Sequence, residues 1–159
     1  MALVAVTALA QTPSPAADQN LYSVALKASI IQMENEYGPI NDSVPPGENV
    51  RTDYRHMTVE KDPLITDALP TAFDAHVVEY LDDAGLIERY RKLGESYAIL
   101  RVGPMQADGD ALKIAVVVYQ VSYKKHRLQF GLSDWSDVEF RYDCEKQQYV
   151  INSVKLGGI

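Results

Sequence analysis

The hydrophobic pattern of this chain switches between a helical period and a strand period. From Asn20 to Tyr37 the apolar residues Leu21, Val24, Ala25, Ala28 and Ile31 recur every three or four positions, which predicts an amphipathic helix with one core-facing stripe. Asp18 or Asn20 offers an N-cap, Gly38 stands just past the end, and Pro39 reinforces the stop. Asn41 to Val50, with Pro45-Pro46-Gly47, reads as a loop. Thr52 to Lys61 alternates, with Arg55, Met57 and Val59 on one side and Tyr54, His56, Thr58 and Glu60 on the other; this predicts a strand closed by Asp62-Pro63. Leu64 to Phe73 is a loop with room for one helical turn, because Pro70 forbids a longer helix. Ala75 to Leu81 predicts a second short strand. A second helix follows, with Asp82-Asp83 at its start, Leu86, Tyr90 and Leu93 as the buried stripe, Arg89, Arg91 and Lys92 at its negative end, and Gly94 as the stop.

The last third, Tyr97 to Leu156, reads as a four-stranded antiparallel meander. Three hairpin signals, Ala107-Asp108-Gly109-Asp110, Lys124-Lys125 and Asp143-Cys144-Glu145-Lys146, separate runs rich in Val, Ile, Tyr and Phe. Ile114 to Val118 are all apolar, so both faces of that strand are expected to be covered and the strand to be central. His126 to Tyr142 as one straight strand would reach about 58 Å at roughly 3.4 Å per residue, too long for a domain of this size. A bulge is expected between Gly131 and Asp137, where Ser133-Asp134-Trp135-Ser136-Asp137 interrupts the apolar pattern.

At 159 residues and 47% hydrophobic content the chain suits one domain with a real core. That domain is placed at 19–159. Residues 1–10, an apolar run ending in Ala8-Leu9-Ala10, resemble the second half of a secretory signal without its basic start, and 11–18 form a flexible leader. The expected compartment is secreted or periplasmic. Ten apolar residues are too few to span a bilayer, which takes roughly 20 in a helix, so no membrane span is read there. Asn41-Asp42-Ser43 matches a glycosylation acceptor. A net charge of −7 argues against nucleic acid as a partner. The basic groupings Lys124-Lys125-His126-Arg127 and Arg89 to Lys92 read as a solvated turn and a solvated helix end rather than a polyanion site. Cys144 is the only cysteine, which rules out an intramolecular disulfide, and its acidic neighbours Asp143 and Glu145 disfavour a thiolate.

The order of elements, helix, two strands, helix and a bent antiparallel run, resembles the NTF2-like (cystatin-like) α+β roll over residues 20–156. The resemblance implies an N-terminal helix and a second helix packed on the concave side of a curved antiparallel sheet. It departs in one place: such folds carry a second helix directly after the first, where this chain has its Pro-rich 39–50 segment. The closing segment Arg141 to Lys146 also resembles that of secreted bacterial proteins, a likeness that implies no activity.

No P-loop, dinucleotide glycine pattern, nucleophile elbow or HExxH motif is present, and no cofactor is expected. His56 with Glu60, and His76 with Glu79, would form a two-histidine metal site if their strands paired as a hairpin, against the plainer reading of polar strand residues. Asp134 and Asp137, with His126 nearby in sequence, are the candidate acid–base groups, since in NTF2-like enzymes a carboxyl with a His or Tyr inside the roll serves that role. The structural alternative is a bulge whose Asp side chains bond their own backbone while Trp135 covers the sheet. Ten tyrosines against three phenylalanines single out Tyr119, Trp135 and Tyr142 as candidate ligand contacts, although strand propensity alone accounts for the tyrosines. Two functions follow. The first is a non-enzymatic module binding a small apolar ligand or a protein, with a homodimer through the sheet face. The second is a small cofactor-independent isomerase or hydrolase using an Asp/His pair.

Overall fold

The computed structural model describes residues 20–38 and 52–158. The signal-like run 1–10, the leader 11–18, the 39–50 loop and the Asn41 acceptor lie outside the described residues. The first helix, α1 (Leu21–Tyr37), begins at Asn20, whose side-chain oxygen accepts from the Tyr22 and Ser23 amides, and it ends at Gly38 with φ of 75°. An N-cap of this kind is worth about 1 kcal/mol. The second helix, α2 (Asp83–Leu93), is capped by Asp82, which accepts from the Gly85 amide, and is stopped by Gly94 in the left-handed region. Gly85 eases the approach of α2 to β3, because a Cβ there would stand 3.1 Å from the Leu81 side chain.

Among the described residues eight strands form one open sheet: β1 (His56–Glu60), β2 (Ala72–Phe73), β3 (His76–Leu81), β4 (Tyr97–Val102), β5 (Gln106–Asp108), β6 (Ala111–Lys124), β7 (Arg127–Asp143) and β8 (Gln148–Gly158). A single 3-10 turn at Thr66–Ala68 fills the connection after β1. The order across the sheet is β2-β3-β1-β4-β6-β7-β8, with β5 also on β6. From β4 onward neighbours are antiparallel. β1, however, runs parallel to both β3 and β4. The sheet is therefore mixed, which corrects the expectation of an antiparallel sheet. Parallel neighbours need a crossover, and α2 is the crossover that carries the chain from β3 over β1 to β4.

The two helices lie on opposite faces, whereas the resemblance implied one shared side. Alternation along β4 decides it: Leu100 and Val102 join the cluster around Leu26, Ile30 and Met33 of α1, while Tyr97 and Ile99 join the cluster around Leu86 of α2. The α1 cluster also takes Met57, Val59 and Val78 from the parallel end and Ile114, Val116, Val118, Val138 and Phe140 from the antiparallel end. Each fully buried Leu, Ile, Val or Phe contributes about 1.5–3 kcal/mol relative to exposure. A fully buried polar pair sits in that layer, the Ser29 hydroxyl donating to Ser136 Oγ at 3.0 Å. β7 runs unbroken for 17 residues. The pairing of β6 with β7 skips Ser133, so a bulge falls inside the stretch the sequence marked. A second irregularity on β8 skips Asn152 opposite Glu139 and Phe140.

Candidate functional site

The helix α2 covers only part of its face of the sheet. Its Leu86 sits on Tyr97, Ile99 and Val121, with Leu81, Tyr90, Tyr119, Leu128 and Phe130 packed around them. Beyond this cluster the same face continues through positions fixed by strand register, Tyr119 opposite Leu132 and Val117 opposite Trp135. Leu132 is 46% exposed, and Val117, Tyr119 and Trp135 are half-buried. The rings of Tyr119 and Phe130 meet edge to face, with centroids 6.1 Å apart. The Arg101 guanidinium lies over both, 4.8 Å from Tyr119 and 5.0 Å from Phe130. Glu60 accepts from Arg101 Nε and holds that cation in its charged form. The result is an apolar and aromatic strip along the open half of the α2 face, rimmed by one ion pair.

The indole of Trp135 is locked from the edge strand. A Cβ on Gly157 would overlap the ring, so glycine is required for β8 to pass beneath it. Further along this face Asp137 faces Lys155 by register, and Lys113 lies near Asp108 and Glu139, a solvated charge network.

The candidate acid–base groups are not brought together. Asp134 pairs with Val118 and so lies on the α1 face; Asp137 pairs with Ala115 on the α2 face; His126 is exposed at the tip of the β6–β7 hairpin. The Asp/His pair that an isomerase or hydrolase would use is not assembled from these residues. Asp134 has other neighbours. It accepts from the Ser133 hydroxyl, and two tyrosines lie near it, Tyr37 at the end of α1 and the buried Tyr54, with rings stacked at 6.5 Å. Burial, seconded by the Asp134 charge, pushes the Tyr54 phenol up to about 12, and the same causes raise Tyr37. These tyrosines carried no signal in sequence, because the pattern did not say which strand would lie under the end of α1.

The histidines on β1 and β3 also diverge. His56 is 69% exposed in its side chain and bonds Asp53 at 2.9 Å. His76 points to the other face, where Nε2 lies 2.7 Å from Glu34 of α1 and Nδ1 lies 3.3 Å from the Phe73 carbonyl. Parallel pairing places His56 beside Val77, not beside His76, so the hairpin geometry of the expected site is corrected. Among the described residues no group of three or more His, Cys, Asp or Glu side chains is placed to hold a metal ion. Tyr142, 51% exposed, stacks edge to face on Tyr149 at 5.4 Å and stands on the α1 face, away from Tyr119 and Trp135. Of the three candidate ligand contacts, two therefore share one surface. The period-two run Leu128, Phe130, Leu132 was the sequence signal for the rest of it.

No helix among the described residues is long and apolar enough to cross a membrane. Comparison with family models, with curated proteins and with solved structures found no match for this chain.

Proposed function

We propose that this protein is a non-enzymatic interaction module that docks a protein partner, in the first instance a second copy of itself, on the open half of its α2 face. The observation that carries this reading is the contiguous strip Phe130, Leu132, Tyr119, Val117 and Trp135, with Leu132 nearly half exposed on the part of the face that α2 leaves uncovered. Large apolar side chains grouped at a surface and rimmed by charge are the composition of a docking patch. An open sheet face offers breadth without enclosure, which suits a partner's surface better than a small apolar molecule that needs enclosure. The NTF2-like roll remains the proposed description of the α1 side, supported by the cluster that α1 shares with residues of β1 to β4 and β6 to β8. The compartment proposed is secreted or periplasmic, and mass spectrometry of the exported protein then finds its N-terminus at Gln11.

Trp135 is the only tryptophan and lies in the strip, so its fluorescence reports on the surface directly. With rising protein concentration, light scattering should show mass moving from one copy to two while Trp135 emission shifts to the blue and iodide quenching falls. Leu132→Asp should abolish all three changes and leave the circular dichroism unaltered. A strict monomer throughout, with wild type and variant quenched alike, overturns the reading.

A further inference from the structure

The two basic groupings of the sequence meet at one end of the molecule. The turn joining β6 to β7 is Lys124-Lys125-His126-Arg127, with Lys124 paired to Arg127 and all four residues exposed. The last turn of α2 carries Arg91 and Lys92, and through Tyr90 and Arg91 it meets Tyr123 at the same end of the hairpin. The Arg91 guanidinium lies 5.6 Å from the Tyr123 ring centroid, and the Tyr90 and Tyr123 rings are 6.3 Å apart. Leu93, 48% exposed, is the last residue of α2.

Charge pairing sets this end apart. Apart from Lys155, every other described lysine and arginine lies within ion-pair distance of a carboxylate. Arg91, Lys92, Lys124, Lys125 and Arg127 have no such partner among the described residues. On a chain of net charge −7 they form a positive pole. The turn itself is built against local preference, since Lys125 and His126 hold φ of 51° and 62°. That is a type I′ geometry which Asn-Gly adopts with far less strain. Closing the hairpin does not require these two side chains, and Lys125 adds a charge to the tip.

We propose that this end docks peripherally on an anionic lipid surface, with the five cations among the headgroups and Leu93, Tyr90 and Tyr123 at the boundary with the acyl chains. Basic residues interleaved with aromatic and aliphatic ones are the composition of an interfacial contact. The geometry favours a plane over a nucleic acid. A hairpin tip and a helix end present a compact basic point, whereas a duplex binder neutralises a long row of phosphates with an extended basic surface.

The test is sedimentation of the full chain with vesicles of phosphatidylcholine alone and of phosphatidylcholine with phosphatidylserine. Binding is expected only to the second kind, weakening as salt is added. Lys125→Gln and Arg127→Gln should each reduce it about fivefold, the equivalent of one basic residue at an anionic surface. Lys125→Asn with His126→Gly separates binding from folding, because it relaxes the turn: its thermal midpoint should stay level or rise while vesicle binding falls. Equal binding to both vesicle kinds, or wild-type binding by the relaxed-turn variant, overturns the proposal. Binding to inorganic polyphosphate or duplex DNA without binding to vesicles also overturns it.

Discussion

Both ring nitrogens of His76 face oxygen atoms, and one of them belongs to Glu34 in the last turns of α1. The Glu34 carboxylate also accepts from Arg55 Nε at 3.4 Å. The His76 hydrogen bond is the main cause that holds its carboxyl below the ordinary value of 4.5, with Arg55 adding to it against a cost from burial. The other charges of this corner are Asp74 and its partner Lys27, 2.9 Å away. A carboxyl whose folded value is depressed contributes stability that is fully present above the ordinary value and is lost as pH falls through the folded value. Glu34→Gln is therefore expected to lower unfolding stability by about 1 kcal/mol at neutral pH, the range for a partly exposed charged hydrogen bond. The difference from wild type should shrink as the pH falls below the usual carboxylate range. Parallel stability curves at all pH values would show that Glu34 does not act through its charge.

The helices and the bulge were legible because their signals are local. Asn20, Gly38, Asp82 and Gly94 mark α1 and α2 at their observed ends, and the polar break after Leu132 contains the residue that β6 skips. Strand direction was not legible. Nothing in His56 to Glu60 says whether its neighbours run with it or against it, since alternation fixes faces and leaves direction open. Direction follows from what the connection can span, and here α2 supplies a crossover where a tight turn would have made a hairpin. The same gap hid the site. Tyr119 and Trp135 could be named from residue type, but their meeting with Leu132 depends on the β6–β7 register, which Ser133 shifts by one. Asp134 and Asp137 end on opposite faces by odd separation along one strand.

The sheet is paired unevenly, and this sets where the molecule should open first. β6 is bonded along its length to β7 on one side and to β4 and β5 on the other, and Ile114, Val116 and Val118 are fully buried beneath α1. At one margin β2 contributes two residues, and at the other β8 has β7 as its only strand partner among the described residues. Amides whose hydrogen bonds break only when the whole core opens exchange with the global unfolding free energy, whereas marginal ones exchange by local opening. Hydrogen exchange at neutral pH should accordingly be slowest at Val116 to Val118 and their partners Leu100, Arg101 and Val102 on β4, with β1 close behind. The β2 amides and the β8 residues around the Asn152 irregularity should exchange earliest among the strands, together with the last turn of α2. That ordering separates the closed centre from the surfaces proposed for contact: the strip at Leu132 and the basic end at Lys125 both lie on β7 or its turn, one strand from the slow core. Protection spread evenly across all strands would mean that the sheet opens as one unit, and then neither surface could adjust to a partner without unfolding the domain.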